Sequence, residues 1–237
     1  GATGFKLEVL NNIVYDIGGT ATSNYHVYGI NCQDNTKNPG IKQLNNTVFN
    51  ITSASTWLYG QCIGLVHNYG NPAYNSLCKN NIVMGTSAPS VGGTVGDYLG
   101  TTGTHISHNI SSDSTASGTG SITNAVTADQ FVSIVSGSED LHLKAGSDAI
   151  NAGVYLTTPD AIQYDIDGDL RGNFGLFSIG ADEFVLVIDN TPDIKSSIIK
   201  LKSPSLVQPS FSAGYAKSAS ESASPNLWNG LVASWVP

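Results

Sequence analysis

The 237 residues of this chain suffice for one large domain or two small ones, and they carry little charge. Charged side chains make up 12%, which is about half of the usual share, and the net charge is −8. A chain with ten basic residues in all lacks the basic surface that nucleic-acid binding needs. No apolar run approaches the about 18 residues of a membrane span. We therefore expect neither nucleic-acid binding nor membrane insertion.

The chain begins with a repeat of about 35 residues, a period typical of a solenoid. LNNIVYDI (10–17) returns as LNNTVFNI (44–51) and KNNIVMGT (79–86), and a weaker copy, SHNISSDS, follows at 107–114. The apolar alternation within each copy predicts a strand with one buried face. Two aligned columns are expected to face the core, and they contain Ile13, Thr47, Ile82 and Ile110, and Tyr15, Phe49, Met84 and Ser112. Ile17 and Ile51 begin a third such column.

Each copy opens on asparagine, where the chain has to turn into the strand. Asparagine tolerates left-handed backbone angles, and stacked amides bond to one another in Asn ladders. We therefore predict a structural role for Asn12, Asn46, Asn81 and Asn109. The column that contains Val14, Val48 and Val83 is apolar as well, so the outer face should be covered in part.

A second, looser repeat lies between these copies. HVYGINC (26–32) and WLYGQCI (57–63) share Tyr-Gly after an apolar residue, so each unit has at least two strands. Strands on flat faces, each paired in parallel with its counterpart one coil away, predict an all-β fold, a right-handed parallel β-helix. Cys32 and Cys62 fall near matching positions of adjacent coils. They form either a disulfide or, in the preferred interpretation, part of a stack of small buried residues.

The segment 141–184 contains LHLKAGSDAINAG, YDIDGDLRGN and FSIGADEF. This run resembles the C-terminal coil of right-handed parallel β-helix proteins from bacterial surfaces and environmental genomes. The resemblance implies a β-helix over 1–186 with a terminal cap at 141–186, and an extracellular setting, but no single activity. The matching residues are Leu143, Gly146, Ser147, Ala149, Ile150, Asn151, Gly153, Asp165, Asp167, Gly168, Arg171, Ile179, Gly180, Ala181 and Glu183.

The cap is expected to close the core and to hold the last loop. Ala149, Ile150 and Val154 are predicted to plug the open end. Arg171, the only arginine, is predicted to pair with Asp167 or Glu183.

The loop also resembles the start of a calcium site. Asp165, Asp167 and Asp169 place carboxylates at alternate positions around a glycine. The bidentate glutamate of an EF-hand is missing at loop position twelve, so a turn clamped by Arg171 is preferred to bound calcium. No other cofactor is expected.

After Phe184 the composition changes. Residues 187–225 are rich in Ser, Pro, Lys and Ala, which predicts a linker or an extended arm. The last stretch, NLWNGLVASWVP (226–237), resembles the opening strand of laminin-G-like or concanavalin-like domains, and implies the first strand of a following β-domain. Because the chain starts inside a repeat, we expect it to be part of a longer protein.

The repeats offer little for catalysis, and no catalytic residue is assigned. Glycoside hydrolysis needs two carboxylates about 5–9.5 Å apart, whereas Asp16 and Asp113 are three coils apart. Binding is easier to support, because Trp57, Tyr69 and Tyr74 stand beside Asn-rich loops and suit sugar rings. The alternative is that these rings cover a loop or line an oligomer interface.

The sequence thus predicts a non-catalytic structural and binding module of a virion or cell-surface protein, of the spike, fibre or adhesin type. Its expected partners are polysaccharide, other copies of itself and other surface proteins. Two alternatives remain open. One is the C-terminal part of a polysaccharide lyase or glycoside hydrolase, and the other is a subunit of an extracellular assembly or filament.

Overall fold

The computed structural model describes residues 7–19, 25–33, 40–54, 60–68, 76–88, 93–100, 105–157, 162–172 and 177–185. All of these residues belong to one unit, Gly1–Val187. Ile188–Pro237 form a separate unit, which lies outside the described residues together with the predicted arm and the predicted last strand.

In the described part of the chain the fold is mostly β, which confirms the predicted all-β class, and eleven strands form three parallel sheets. The first sheet has the order β1 (Leu7–Leu10), β4 (Ile41–Leu44), β7 (Leu77–Lys79) and β10 (Ile106–Ser107). The second sheet has the order β2 (Ile13–Gly19), β5 (Thr47–Ser53), β8 (Ile82–Met84) and β11 (Ile110–Ser111). The third sheet has the order β3 (Val27–Gln33), β6 (Gln61–Asn68) and β9 (Thr94–Leu99).

A short helix and a hairpin follow the parallel sheets. Helix α1 (Thr127–Gln130) leads directly into β12 (Phe131–Ser133), which pairs in antiparallel fashion with β13 (Asp140–Leu143). Gly137 lies in the connecting turn with φ of 79°, an angle that suits glycine. Among the described residues, no helix is long and apolar enough to cross a membrane.

Neighbouring strands in each parallel sheet come from successive copies of the repeat. In the second sheet Ile13 pairs with Thr47 and Thr47 with Ile82, which is the register of the alignment on the asparagines. Ile110 of the weak fourth copy pairs with Ile82. Because parallel strands lie about 4.8 Å apart, equivalent side chains form rows across the sheet.

The third sheet has a register that differs from the prediction. Tyr28 pairs with Ile63, so the two segments do not align on their Tyr-Gly pairs. The feature they share in space is a glycine, because a Cβ on Gly29 would lie 2.5 Å from the carbonyl oxygen of Gly64. A Cβ on Gly64 would in turn lie 2.9 Å from the carbonyl oxygen of Asp97. Close backbone approach selects glycine at these positions.

The cysteines are buried thiols without a disulfide. Cys32 pairs with His67 and Cys62 pairs with Val27, so the two cysteines do not stand at matching positions. All three belong to one apolar cluster, in agreement with the preferred interpretation. Burial raises the pKa of both the Cys32 and the Cys62 thiol to about 11.

Buried apolar side chains divide into two clusters. The inner cluster draws on all three sheets and contains Val27, Ile30, Cys32, Ile41, Val48, Ile51, Cys62, Leu65, Cys78, Val83, Tyr98, Ile106 and Ala116. The outer cluster joins the opposite face of the second sheet to the later part of the chain and contains Phe49, Ile82, Met84, Ile110, Phe131, Leu141, Leu143, Ala149 and Ile179.

The two columns predicted to face inward lie on the outer face, so that prediction is wrong. Ile82 and Met84 belong to the outer cluster, whereas Val48 and Val83 belong to the inner one. Both faces of this sheet are buried, and alternation alone does not say which face points inward. At the edge of the sheet, Tyr15 of the same columns is 46% exposed.

A left-handed residue bends the chain in each of the first three copies, directly after the column that contains Tyr15, Phe49 and Met84. Asp16, Asn50 and Gly85 have φ of 54°, 54° and 75°, a region that favours Asp, Asn and Gly. The bend shifts the alternation of faces, so Ile51 enters the inner cluster. Its counterpart on the edge strand, Ile17, is 40% exposed.

The segment predicted as a cap packs along the side of the second sheet and does not plug an end of the core. Ala149 and Ile150 contact the outer cluster, not the inner one. Phe131 meets the ring of Phe49 edge-on at a centroid distance of 6.0 Å. The described residues of 131–185 therefore form a covering segment on the second sheet, which explains why the outer columns of the repeat are apolar.

Candidate functional site

A continuous ladder of asparagine amides crosses the four copies of the repeat. Nδ2 of Asn12 donates to Oδ1 of Asn46 at 3.0 Å, and Nδ2 of Asn46 donates to Oδ1 of Asn81 at 2.9 Å. Nδ2 of Asn81 donates to Oδ1 of Asn109 at 3.0 Å. Each acceptor oxygen also receives the backbone N–H of the preceding asparagine. One amide therefore holds two neighbouring turns of chain in register.

The first asparagine of each pair points out of the repeat. Asn11, Asn45 and Asn80 adopt φ of 59°, 52° and 57°, which turns their side chains away from the ladder. Nδ2 of Asn11 donates to the carbonyl of Tyr164 at 3.1 Å. Nδ2 of Asn45 donates to the carbonyl of Gly180 at 3.2 Å. The pair thus divides two tasks, because one asparagine links the repeats and the other holds the covering segment.

Asn80 makes the tightest of these outward contacts. Its Nδ2 donates to the carbonyl of Val154, and its Oδ1 accepts the backbone N–H of Val154, both at 2.9 Å. Val154 is therefore held at the side of the sheet, which corrects its predicted place in an end plug.

Arg171 is buried and joins the covering segment to the first repeat. Nη1 lies 3.5 Å from Oε2 of Glu183, one of the two predicted partners. Nη2 donates to Oδ1 of Asn11 at 2.6 Å and to the carbonyl of Gly180 at 3.0 Å. The Glu183 carboxylate also accepts from the backbone and the hydroxyl of Ser178, and its burial raises its pKa.

The three carboxylates of the predicted calcium loop do not converge. Oδ1 of Asp165 accepts the backbone N–H groups of Asp167 and Asp169, at 2.9 and 2.8 Å. Its Oδ2 accepts the backbone N–H of Glu183 at 3.0 Å. Asp165 is therefore the clamp of a turn, while the side chain of Asp169 is exposed. The side chain of Asp167 turns toward His142, which lies outside this loop.

Three side chains from separate segments converge beside β13. His142, Asp167 and Asp182 each offer one ligand atom, and these atoms lie within 4.8 Å of one another. Nε2 of His142 is 2.9 Å from Oδ2 of Asp167, and Nδ1 bonds to Oδ1 of Asp140. Oδ2 of Asp182 accepts the backbone N–H of Leu143 at 2.7 Å. We call His142, Asp140, Asp167 and Asp182 the His142 cluster.

The charges of the His142 cluster shift one another's protonation. The hydrogen bond with Asp140 raises the pKa of His142 and lowers the pKa of Asp140. Burial raises the pKa of Asp182, and the negative charges of Asp165 and Asp167 add to that shift.

The acids of the repeats bond to protein donors. Oδ2 of the buried Asp97 accepts the backbone N–H and the hydroxyl of Ser112, at 2.6 and 2.7 Å. Oδ2 of Asp113 accepts the backbone N–H of Asp97 at 2.9 Å. Oδ1 of Asp16 accepts from the amide of Asn50 at 2.7 Å. These carboxylates hold turns of the chain, which is a structural use.

The candidate glycan contacts Trp57, Tyr69 and Tyr74 lie outside the described residues. Comparisons of the chain with protein-family models, with curated proteins and with solved structures give no match.

Proposed function

We propose that this chain is a right-handed parallel β-helix that serves as a structural and binding module on a virion or cell surface. Three parallel sheets whose successive strands come from successive repeats support the helical path. The right-handed sense is supported by the general preference of parallel crossover connections, which are right-handed in about 98% of cases.

The asparagine ladder is the observation that carries this proposal. Asn46, Asn81 and Asn109 are fully buried, and each connects two copies of the repeat. Buried polar groups that are fully bonded make a structure rigid and specify its register. Such a scaffold holds loops at fixed spacing, which suits a surface protein that presents them to a partner.

The use of acidic groups supports binding over catalysis. The carboxylates of Asp97 and Asp113 accept hydrogen bonds from protein donors, so they serve the fold. A hydrolase or lyase needs acids that point at its substrate. The module is therefore proposed to hold a polysaccharide through Trp57, Tyr69 and Tyr74, without cleaving it.

Parallel assays of binding and turnover test the function. The whole chain is applied to an array of neutral and anionic glycans, and soluble polysaccharides are incubated with it and assayed for new reducing ends and unsaturated products. We expect binding without product. Product that accumulates in proportion to protein overturns the non-catalytic proposal and favours the enzyme alternative.

Point variants test the binding surface. Trp57→Ala, Tyr69→Ala and Tyr74→Ala are expected to weaken glycan binding, because aromatic faces pack on sugar rings. Tyr15→Ala is the matched control, since Tyr15 is an exposed tyrosine within a strand. Equal loss in all four variants, or no glycan binding at all, contradicts the glycan part of the proposal.

An experimental structure of the chain tests the architecture. Right-handed coils through the three parallel sheets are expected. Left-handed coils, or sheets closed in another way, overturn the β-helix.

A further inference from the structure

The ring of His142 lies between two carboxylates. Nδ1 bonds to Asp140, and Nε2 lies 2.9 Å from Oδ2 of Asp167. A neutral imidazole has a single N–H, so it can donate to one carboxylate and must direct a lone pair at the other. Either a proton or a metal ion on the second nitrogen removes this repulsion.

Three carboxylates, those of Asp140, Asp167 and Asp182, lie around the single imidazole of His142. Asp182 is only 6% exposed, and a buried carboxylate is costly without a positive partner. Arg171, the only arginine, is already paired with Glu183. A divalent ion at Nε2 of His142 would bring positive charge to both Asp167 and Asp182.

We propose that Nε2 of His142 and one carboxylate oxygen each of Asp167 and Asp182 bind a divalent transition-metal ion of the zinc class. Ligand atoms around tetrahedral zinc lie about 3.3 Å apart, and the three atoms here lie within 4.8 Å of one another. An imidazole ligand favours zinc over calcium, which takes oxygen ligands. Three protein ligands leave a fourth position for water.

Asp140 is the positioning residue of this site. Its carboxylate accepts a hydrogen bond from the Nδ1–H group, which fixes the tautomer that leaves the Nε2 lone pair free for a metal ion. Asp140 and His142 are two positions apart on β13 and therefore lie on the same face of the strand. An outer carboxylate on a metal-binding histidine strengthens the ligand.

The bound ion would cross-link three separate parts of the covering segment. His142 lies on β13, Asp167 in the turn held by Asp165, and Asp182 in the stretch 177–185. Because the unfolded chain does not preserve this geometry, the binding free energy adds to the stability of the fold. Metal binding at this site does not depend on the proposed glycan binding.

Metal titration of the whole chain tests the site. After treatment with a chelator and dialysis, Zn²⁺ and Ca²⁺ are titrated separately by calorimetry, and thermal unfolding is followed with each ion. We expect about one bound Zn²⁺ per chain and a raised unfolding midpoint, with no such rise for Ca²⁺. Co²⁺ should give the visible absorption of a tetrahedral site with nitrogen and oxygen ligands.

Variants identify the ligands. His142→Gln and Asp167→Asn should abolish stoichiometric Zn²⁺ binding, and Asp140→Asn should weaken it by about 10–100-fold. Asp169→Asn is the matched control, since Asp169 lies in the same turn with an exposed side chain, and its binding should be unchanged.

Several results would overturn the proposal. These are absence of stoichiometric Zn²⁺ binding, binding retained in His142→Gln, or a preference for Ca²⁺ that Asp169→Asn removes. Far-ultraviolet circular dichroism shows whether each variant folds. Where a variant does not fold, the Co²⁺ spectrum of the unmodified chain decides, and the lack of tetrahedral bands counts against the site.

Discussion

The side chain of Asn46 and its own backbone N–H donate to the same oxygen, Oδ1 of Asn81, at 2.9 and 3.0 Å. One acceptor therefore binds the neighbouring repeat through two donors. The same arrangement recurs between Asn12 and Asn46 and between Asn81 and Asn109. Stability should depend on where in this row an asparagine is removed.

Asn81→Ala should strongly destabilise the fold. The substitution removes the shared acceptor of the backbone and side-chain N–H groups of Asn46 and a donor to the carbonyl of Gln43 in a buried site, and each bond lost there costs about 1–3 kcal/mol. We expect a total loss of about 3 kcal/mol or more in the free energy of unfolding, measured in urea. Asn12→Ala, at the exposed end of the row, is the control and should cost about 1 kcal/mol. Equal losses for the two variants would contradict a buried ladder.

Phe131→Ala should loosen the covering segment. Phe131 is fully buried against Phe49, and truncation of such a ring costs about 3–5 kcal/mol. Val132→Ala provides the comparison, because Val132 is the next residue and is 55% exposed, so its loss should stay within about 0.5 kcal/mol. Chemical unfolding of both variants measures the difference. A small effect of Phe131→Ala would show that the segment does not cover the second sheet.

Arg171→Met should lower the stability of the fold, because it leaves a buried charge without its partner. The substitution leaves the Glu183 carboxylate without its cation, and breaking a buried pair from one side costs about 3–5 kcal/mol. Lys144→Met removes an exposed cation and should be nearly neutral. The double variant Arg171→Met/Glu183→Gln should lose less than the sum of its single changes, as measured in a double-mutant cycle. Additive losses would mean that the two residues are not coupled.

The buried His67 predicts a loss of stability in mild acid. Burial, together with the charge of His105, lowers the pKa of His67 to about 4. The unfolded chain takes up this proton below about pH 6.5, whereas the folded chain takes it up only near pH 4. Stability contributed by the neutral ring is therefore complete above pH 6.5 and is lost as the pH falls toward 4, by up to about 3 kcal/mol. Urea unfolding between pH 7 and 4 measures this slope.

Two variants isolate the contribution of His67 to the slope. His67→Gln keeps a donor for Oε1 of Gln43, which lies 2.5 Å from Nδ1 of the ring, and removes the titration. Its stability should vary less with pH than that of the unmodified chain. His26→Gln makes the same change of side chain at an exposed position and serves as the control. An unchanged slope in His67→Gln would assign the acid sensitivity to other groups.

The buried cysteines predict thiols that are present but protected. Burial raises the pKa of Cys78 as well as those of Cys32 and Cys62, so little thiolate forms near neutral pH. Ellman's reagent should label none of them rapidly in the folded chain and all three in denaturant without reductant. One reactive thiol in denaturant would reveal a disulfide between two of the three. Rapid labelling of the native chain would contradict their burial.

Much of the second sheet could be predicted from the repeat alone. The pairs Ile13–Thr47 and Thr47–Ile82 follow from the alignment on the asparagines, because parallel pairing brings identical sequence positions together. The inward face could not be predicted, because apolar side chains cover both faces. The glycine register of the third sheet was missed for a related reason, since the close approach of Gly29 to Gly64 arises only when the sheets pack.

The His142 cluster, the candidate metal site, also could not be predicted from the sequence, because it depends on contacts between distant segments. Asp165, Asp167 and Asp169 suggested a loop that supplies its own ligands, but local hydrogen bonds occupy Asp165. Asp167 instead meets His142, which is 25 residues away. The sequence offered one local sign of this site. Asp140 and His142 are two positions apart on one strand, so their side chains lie on the same face.

The sequence by itself determined the strand-forming repeat, its asparagine row and the all-β class, because these depend on residues at fixed spacing along the chain. The tertiary structure alone decided which face of the second sheet is internal, where 141–184 docks and which acids meet His142. Those outcomes depend on packing between segments far apart in the chain. The hydrophobic effect is not directional, so an apolar surface can pack against any segment of complementary shape. The local sequence therefore does not show which segment packs there.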